Sequence, residues 1–502
     1  MILVLACICA ILGHILFFIV NRRKLQLTRS WDGPFHLPFM GSAYLILFRN
    51  LEQILIVVLD MLENYKTPIM KAWFGPYLLV GVKKPEHIQV ILNSNDCLDK
   101  SFIYDFLPIQ GAFTLPTEAW KLLRKQLNPS FNLKILKNYI PIFNDKSRLM
   151  IKQMRRELGK TIEFDMHNYM ARCMLDSFYA TNLGMQSDIQ TVERSEYIEA
   201  AERLFDLAIH RTLRPWIHPN VIYNLTSDGK EFKNLTEIFE APTVKIMKEC
   251  DMSNRKNVKK LNGYNDDNDD DDVEINRPQS LIEQLLKLDP KIFDEKTIRE
   301  ELITMQFAGT DTTSTTISNL IVLLAMHPEI QEKMVDELRQ LYTSKDQPVE
   351  YEDLVHLEYM EMVIKESMRI WPIAALYARA SRNEVDLGDG NILPNNAEIA
   401  ISVHSVHHNP EYWANPNVFD PNHFLPEIEA KRHPYAFLPF SLGPRNCIGY
   451  RYAWFAMKVI VANLLRSYKF ETSLRLDSVT FKISMLTKLC GKYRVRITER
   501  KF

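Results

Sequence analysis

The stretch PFSLGPRNCIGYRYAWFAMKVIVANLL, residues 439–465, constrains this chain more than any other. A loop broken by Gly443, Pro444 and Gly449 runs directly into an apolar, alanine-containing segment with helical patterning. Cys447 sits at that loop-to-helix junction. Backbone N–H groups at such a junction stabilise a thiolate, and the glycines let a flat ligand come close. A lone cysteine is more often a small buried hydrophobe, so the reading of Cys447 turns on what the rest of the chain supplies.

The 502 residues contain no fixed-period repeat, and we read most of them as one large domain. Helical periodicity runs through 139–180, 193–213, 231–250, 279–288, 296–326 and 328–343, with a strand-like run, YLLVGV, at 77–82. The expected class is mainly α with minor β-sheets. With 61 basic and 62 acidic residues, no global bias draws the chain toward nucleic acid. The acidic tract YNDDNDDDDVE at 264–274 repels itself and predicts a mobile loop at about 253–278. Seven cysteines without a CxxC pair argue against a disulfide framework and for a reducing compartment.

Residues 1–20, MILVLACICAILGHILFFIV, carry no charged side chain apart from a titratable His14. As a helix they would span about 30 Å, enough to cross a bilayer core. Arg22, Arg23 and Lys24 follow, the flank of an uncleaved anchor rather than of a signal peptide, and place everything after them in the cytosol. Gly33, Pro34, Pro38 and Gly41 then favour an extended connector. The expected organisation is a transmembrane anchor over 1–20, a Pro/Gly hinge over 21–45 and a single large domain over 46–502.

Three further constellations stand out. In ITMQFAGTDTTSTTISNLIVLLAM, Ala308 and Gly309 fall one helical turn before Thr312, so small residues and a hydroxyl share a face, with Asp311 adjacent. The Thr312 hydroxyl is placed to bond back to the Ala308 carbonyl and so to open the helix locally. In YMEMVIKESMRIWP, Glu366 and Arg369 lie three apart, where a surface ion pair would contribute only about 0.2–0.5 kcal/mol. In TEAWKLLRKQLNPSF, Trp120 and Arg124 lie four apart.

The run Phe440-x-x-Gly443-x-Arg445-x-Cys447-x-Gly449 resembles, at every defining position, the haem-binding loop of the cytochrome P450 monooxygenases. AGTDTT resembles the oxygen-activation segment of that family, Glu366-x-x-Arg369 its ExxR pair and Trp120-x-x-x-Arg124 its WxxxR helix. These motifs span the chain from Trp120 to Gly449 in the family's order. The resemblance implies the cytochrome P450 fold, with haem b held non-covalently apart from ligation of its iron by the Cys447 thiolate. Phe440 and Gly449 would lie against the ring, Ala308 above it, and Trp120, Arg124, Arg379 and Arg445 would hold its propionates. Asp311 and Thr312 would relay protons to bound dioxygen. Glu366 and Arg369 would lock the cysteine loop, with His423 in Pro421-Asn422-His423-Phe424 standing where the family usually has arginine.

Segments such as RTLRPWIHPNVIY and FDPNHFLPE further resemble the family-four clan of animal microsomal members, particularly those of insects. Members of that clan often carry glutamate where this chain has Ala308, and an alanine cannot form an ester to haem. The resemblance makes Phe102, Phe106, Phe113, Phe307, Ile373, Ala374, Ala375, Leu376, Met485 and Leu486 candidate substrate contacts. Their apolar character admits fatty acids, other lipids, terpenoids or xenobiotics. No flavin or nicotinamide fingerprint occurs, so electrons would come from a separate NADPH-dependent reductase, with cytochrome b5 a further donor. Lys121, Lys125, Lys431, Arg432, Arg451 and Lys458 are candidate docking charges. The implied location is the endoplasmic reticulum membrane, with the large domain cytosolic. A haem-thiolate isomerase or dehydratase and a non-catalytic haem-binding gas sensor are the alternatives. Retention of both Asp311 and Thr312 argues against them.

Overall fold

The computed structural model describes residues 12–65, 67–192, 194–249 and 281–502. Residues 1–11 and the acidic tract lie outside the described residues. The axis of the molecule is one helix, Glu295–Met326, about 48 Å long at the standard rise. Asp294 caps it by accepting from the Thr297 amide at 2.8 Å, and it ends at His327, ahead of Pro328. Most of its side chains are buried around the whole circumference, as befits a helix enclosed by others. The largest apolar cluster packs its C-terminal half against helices Ile140–Met154, Glu358–Ile370 and Tyr450–Ser467.

The strand expected at 77–82 is present as Tyr77–Val82. It pairs antiparallel with Ile69–Phe74 and parallel with Glu398–Ser402, which pairs antiparallel with Leu376–Ala380. This four-stranded sheet carries Arg379 on its edge strand. A three-stranded sheet joins Phe164–Asp165, Arg494–Glu499 and Tyr468–Glu471. The periodic stretch 139–180 is two helices rather than one, Ile140–Met154 and Met166–Phe178. Between them the chain turns at Gly159, with φ +74°, and the Phe164–Asp165 strand interrupts the helical pattern.

Among the described residues no helix is long and apolar enough to cross a membrane. Residues 12–20 are helical, and Phe17 packs its ring 4.8 Å from that of Trp73. The 21–45 connector lies on the body of the protein. Arg23 pairs with Glu384 at 2.8 Å, the Lys24 ammonium donates to the Asn396 carbonyl, and the Trp31 indole donates to Asn391. A Cβ at Gly33 would stand 1.9 Å from the Lys71 carbonyl oxygen, so only glycine lets the connector run against the sheet edge there.

Candidate active site

Cys447 follows a turn in which Gly443 has φ +78° and a Cβ would stand 2.2 Å from the Leu92 carbonyl oxygen. Glycine is obligatory there on two counts. The Cys447 amide donates to the Phe440 carbonyl at 3.0 Å, closing the loop, and Gly449 caps the helix Tyr450–Ser467. No neighbour forbids a side chain at Gly449, where a Cβ would meet only the Phe131 ring at 3.9 Å. Cys447 keeps accessible surface although protein encloses it, so its thiol faces an internal cleft. Burial raises its pKa, while the Gly449 amide and the charge of Arg124 act to lower it. Arg124 braces this loop directly, donating to the carbonyl and side-chain oxygens of Asn446 at 2.9 and 3.1 Å.

Beside the cysteine loop lies a cluster of cations. Arg445 is buried, lies 5.0 Å from the centre of the buried Trp120 ring, and donates to the carbonyls of Leu98 and Leu115. Arg379, also buried, donates to the Arg445 carbonyl at 3.4 Å. Lys100, which the sequence reading missed, holds its ammonium 4.1 Å from the centre of the Phe113 ring. Burial lowers its pKa well below the ordinary lysine value, and the charges of Arg379 and Arg445 lower it further. Burial, reinforced by Arg379, likewise brings Arg445 down to about 10. Asp99 acts on Arg445 in the other direction, but its carboxylate is bound to Arg382 and Thr117.

On the long helix the Thr312 hydroxyl donates to the Ala308 carbonyl at 2.6 Å as expected, but the helix runs through unbroken, so the expected local opening is absent: the hydroxyl shares the carbonyl without displacing its backbone donor. Asp311 forms an ion pair at 2.8 Å with Lys488, a partner from the far end of the chain. Burial would lower Lys488, but Asp311 and Glu202 raise it above its ordinary value. The pair lines a cavity of about 360 Å³ together with His167, Glu202, Phe307 and Met485.

Glu366 and Arg369 are fully buried and joined by two contacts of 2.7 Å. The Arg369 guanidinium also donates to the carbonyls of His407, Pro416 and Val418. His423 completes the network: Nδ1 lies 3.1 Å from Glu366 and Nε2 2.5 Å from the Ala414 carbonyl. Both ring nitrogens face acceptors.

Of the expected substrate contacts, Phe113, Phe307 and Met485 gather in one apolar cluster with Tyr104, Phe205 and Ala378. Phe307 stacks on Phe205 at 3.8 Å. The Thr487 amide donates to the Ile373 carbonyl and its hydroxyl accepts from the Ala375 amide, which brings Ile373, Ala374 and the strand start at Leu376 beside Leu486 and Met485. Phe102 and Phe106 are not drawn in: Phe102 stacks on Tyr77, and Phe106 packs against His218 and Arg211. Two expected docking charges are not free. Lys458 is buried, bonded to the Leu354 carbonyl and Glu361, and Arg432 stacks 3.7 Å from the Trp413 ring centre while donating to the His423 carbonyl. Lys121, Lys125, Lys431 and Arg451 are exposed.

A family model described as Cytochrome P450 matches residues 32–492. The chain belongs to the cytochrome P450 family. It is 32% identical to "Cytochrome P450 4c21" of Blattella germanica over 95% of this chain and 94% of that relative. It is 31% identical to "Cytochrome P450 4c3" of Drosophila melanogaster over 98% and 94%, and 28% identical to "Cytochrome P450 4V2" of Homo sapiens over 97% and 94%. The resemblance to insect family-four members therefore holds. As a cytochrome P450 the protein is a haem-thiolate monooxygenase supplied with electrons by a redox partner. Its residues fit that cofactor. Lys100, Arg379 and Arg445 converge with no acid inside their cluster, the buried Arg445 Nε has no partner among the described residues, and a thiol faces the same interior. That set suits a flat ligand bearing two carboxylates and a metal.

Proposed function

We propose that the protein inserts one atom of O2 into an apolar substrate at a membrane surface, with NADPH-derived electrons reaching it through a separate flavoprotein reductase and cytochrome b5 as a second donor. The observation that carries this reading is the combination of an inward-facing Cys447 thiol, a cation cluster with no acid of its own and the Thr312–Ala308 turn of the long helix. Bound there, haem supplies dioxygen activation, its thiolate ligand favouring O–O cleavage.

Cys447 would be the iron ligand, with Phe440 and Gly449 beside the ring. Lys100, Trp120, Arg379 and Arg445 would hold the propionates, and Arg124 fixes the loop through Asn446. Glu366, Arg369 and His423 keep the segment ahead of that loop rigid. Thr312 holds a proton at its hydroxyl beside Ala308, and Asp311 hands protons to it from the cavity shared with Lys488, His167 and Glu202. Ala308 leaves the haem without an ester link. The cluster around Phe113, Phe307 and Met485 receives a lipid, terpenoid, hydrocarbon or xenobiotic through buried area rather than polar contacts.

Attachment to the endoplasmic reticulum membrane is supported by the uncharged run at 1–20 and by exposed apolar side chains at Phe35, Phe39 and Phe48 and at Trp216, Val221 and Leu225. Phe48 and Trp216 line one cavity of about 250 Å³, so these two apolar segments lie side by side. The test is reconstitution with reductase, NADPH and a panel of apolar compounds. Hydroxylated product is expected, and Thr312→Ala should retain haem while uncoupling NADPH use from product. Fully coupled turnover in that variant would remove Thr312 from proton delivery.

A further inference from the structure

The loop Ile109–Leu115 hangs between the cysteine loop and the long helix. On one side the Arg445 guanidinium donates to the carbonyls of Phe113 and Leu115. On the other, two successive amides are captured by side chains of the long helix: Gly111 N–H donates to the Thr304 hydroxyl at 2.9 Å and Ala112 N–H to Glu301 Oε2 at 2.6 Å. The approach is so close that a Cβ at Gly111 would stand 2.5 Å from Glu301 Oε2. Thr304 lies one turn and Glu301 two turns before Ala308 on the same helix face, and Phe113 in the captured loop belongs to the apolar cluster around Phe307 and Met485.

Glu301 is fully buried, and its second oxygen, Oε1, has no hydrogen-bond partner among the described residues. We propose that Glu301, carrying its proton, and Thr304 form a latch that holds the Gly111–Phe113 loop against the long helix, and that loss of the Glu301 proton releases it. Glu301 acts here as a positioning residue. Its relevance to substrate entry rests on the monooxygenase reading, whereas its existence does not.

Burial pushes the Glu301 carboxyl up to about 7, and only the Ala112 amide opposes that. The loop has no ionisable side chain between Ile109 and Leu115. Titratable groups on the surrounding elements include Arg445, Lys100, Tyr104, Arg124, Tyr179, Tyr197 and, on the helix Leu281–Leu286, Glu283. None is among the causes that shift Glu301. When the loop opens, the carboxyl meets water and its proton affinity falls back toward the ordinary value of 4.5. Opening is therefore least favoured at low pH. It grows by up to about tenfold per pH unit between roughly 5 and 7, then levels off.

The test is hydrogen–deuterium exchange of peptides covering 109–115 in the full-length haem-bound protein from pH 5.5 to 8, corrected for the intrinsic exchange rate. The wild-type chain should lose protection with that slope and flatten above about 7. Glu301→Gln, which cannot titrate but offers Ala112 the same acceptor, should show no slope. Thr304→Val should keep the slope on a raised baseline, which serves if the glutamine variant misfolds. A flat wild-type profile, or an equal slope in Glu301→Gln or none in Thr304→Val, overturns the latch. Exchange is read without substrate or turnover, so a failure to hydroxylate would count against the monooxygenase reading and leave this result standing.

Discussion

Arg369 and His423 touch the same buried carboxylate, yet their removal should have very different consequences. The Glu366 carboxylate accepts from Arg369 Nε and Nη2, from the Asp420 amide and from His423. Arg369→Ala strips the buried acid of its guanidinium, which costs about 3–5 kcal/mol. It also leaves the buried His407 carbonyl without that donor, worth about 1–3 kcal/mol, and those of Pro416 and Val418, which reach water and cost less. The sum, about 4–8 kcal/mol before the two part-exposed carbonyls are counted, reaches the whole stability of a typical folded protein, about 5–15 kcal/mol. Arg369→Ala should therefore fail to accumulate as folded, haem-binding protein. His423→Ala leaves the carboxylate with both guanidinium contacts and the Asp420 amide. It removes one charge-assisted bond and the donor to the solvent-reachable Ala414 carbonyl, about 2–4 kcal/mol together. That variant should fold, with a lower urea midpoint at unchanged slope, monitored by far-ultraviolet circular dichroism alongside haem absorbance. His423→Arg should restore most of the loss. A folded Arg369→Ala protein of near wild-type midpoint, or a His423→Ala loss as large as that of Arg369→Ala, would refute the reasoning.

Lys100→Met should weaken haem retention and shift the haem reduction potential while stabilising the haem-free chain, because the ammonium is opposed by Arg379 and Arg445 until carboxylates meet it. Haem transfer to apomyoglobin, with thermal melts of the haem-free protein, would check both signs. Acid should destabilise the fold through neutral histidines. Burial, with Lys488 beside it, holds His167 down at about 4, and burial with neighbouring cationic groups holds His404 at about 3. Their folded values lie below the ordinary 6.5, so the stability they contribute is complete above about 6.5 and is lost as pH falls toward 4, at about 1.4 kcal/mol per pH unit for each. Urea midpoints at pH 6.5 and 5 measure this, and His167→Gln should flatten the difference.

The cysteine loop, the Glu366–Arg369 pair and the Ala308–Thr312 turn were legible in the sequence because each is local: its spacing along one helix or loop already sets its geometry. Lys100 was not, since a lysine between Asp99 and Ser101 looks like ordinary surface until folding brings Arg379 and Arg445 beside it. Lys488 and Asp311 are 177 residues apart, and nothing in either neighbourhood announces the other. The capture of Gly111 and Ala112 by Thr304 and Glu301 pairs side chains with backbone amides, which carry no residue-type signal. Lys458 and Arg432 were misplaced for a related reason. Long basic side chains read as solvent-facing, but one reaches a buried carbonyl and the other stacks on Trp413. The break within 139–180 was hidden because both halves keep a helical apolar period.

Thiolate ligation by Cys447 is tested most simply by the absorption spectrum of the reduced, carbon-monoxide-bound protein beside that of Cys447→Ser. A Soret band strongly red-shifted from that of histidine-ligated haem is expected in the wild-type chain, with its loss in the variant. A folded wild-type protein that takes up no haem, or a red-shifted band that survives in Cys447→Ser, would contradict that ligation.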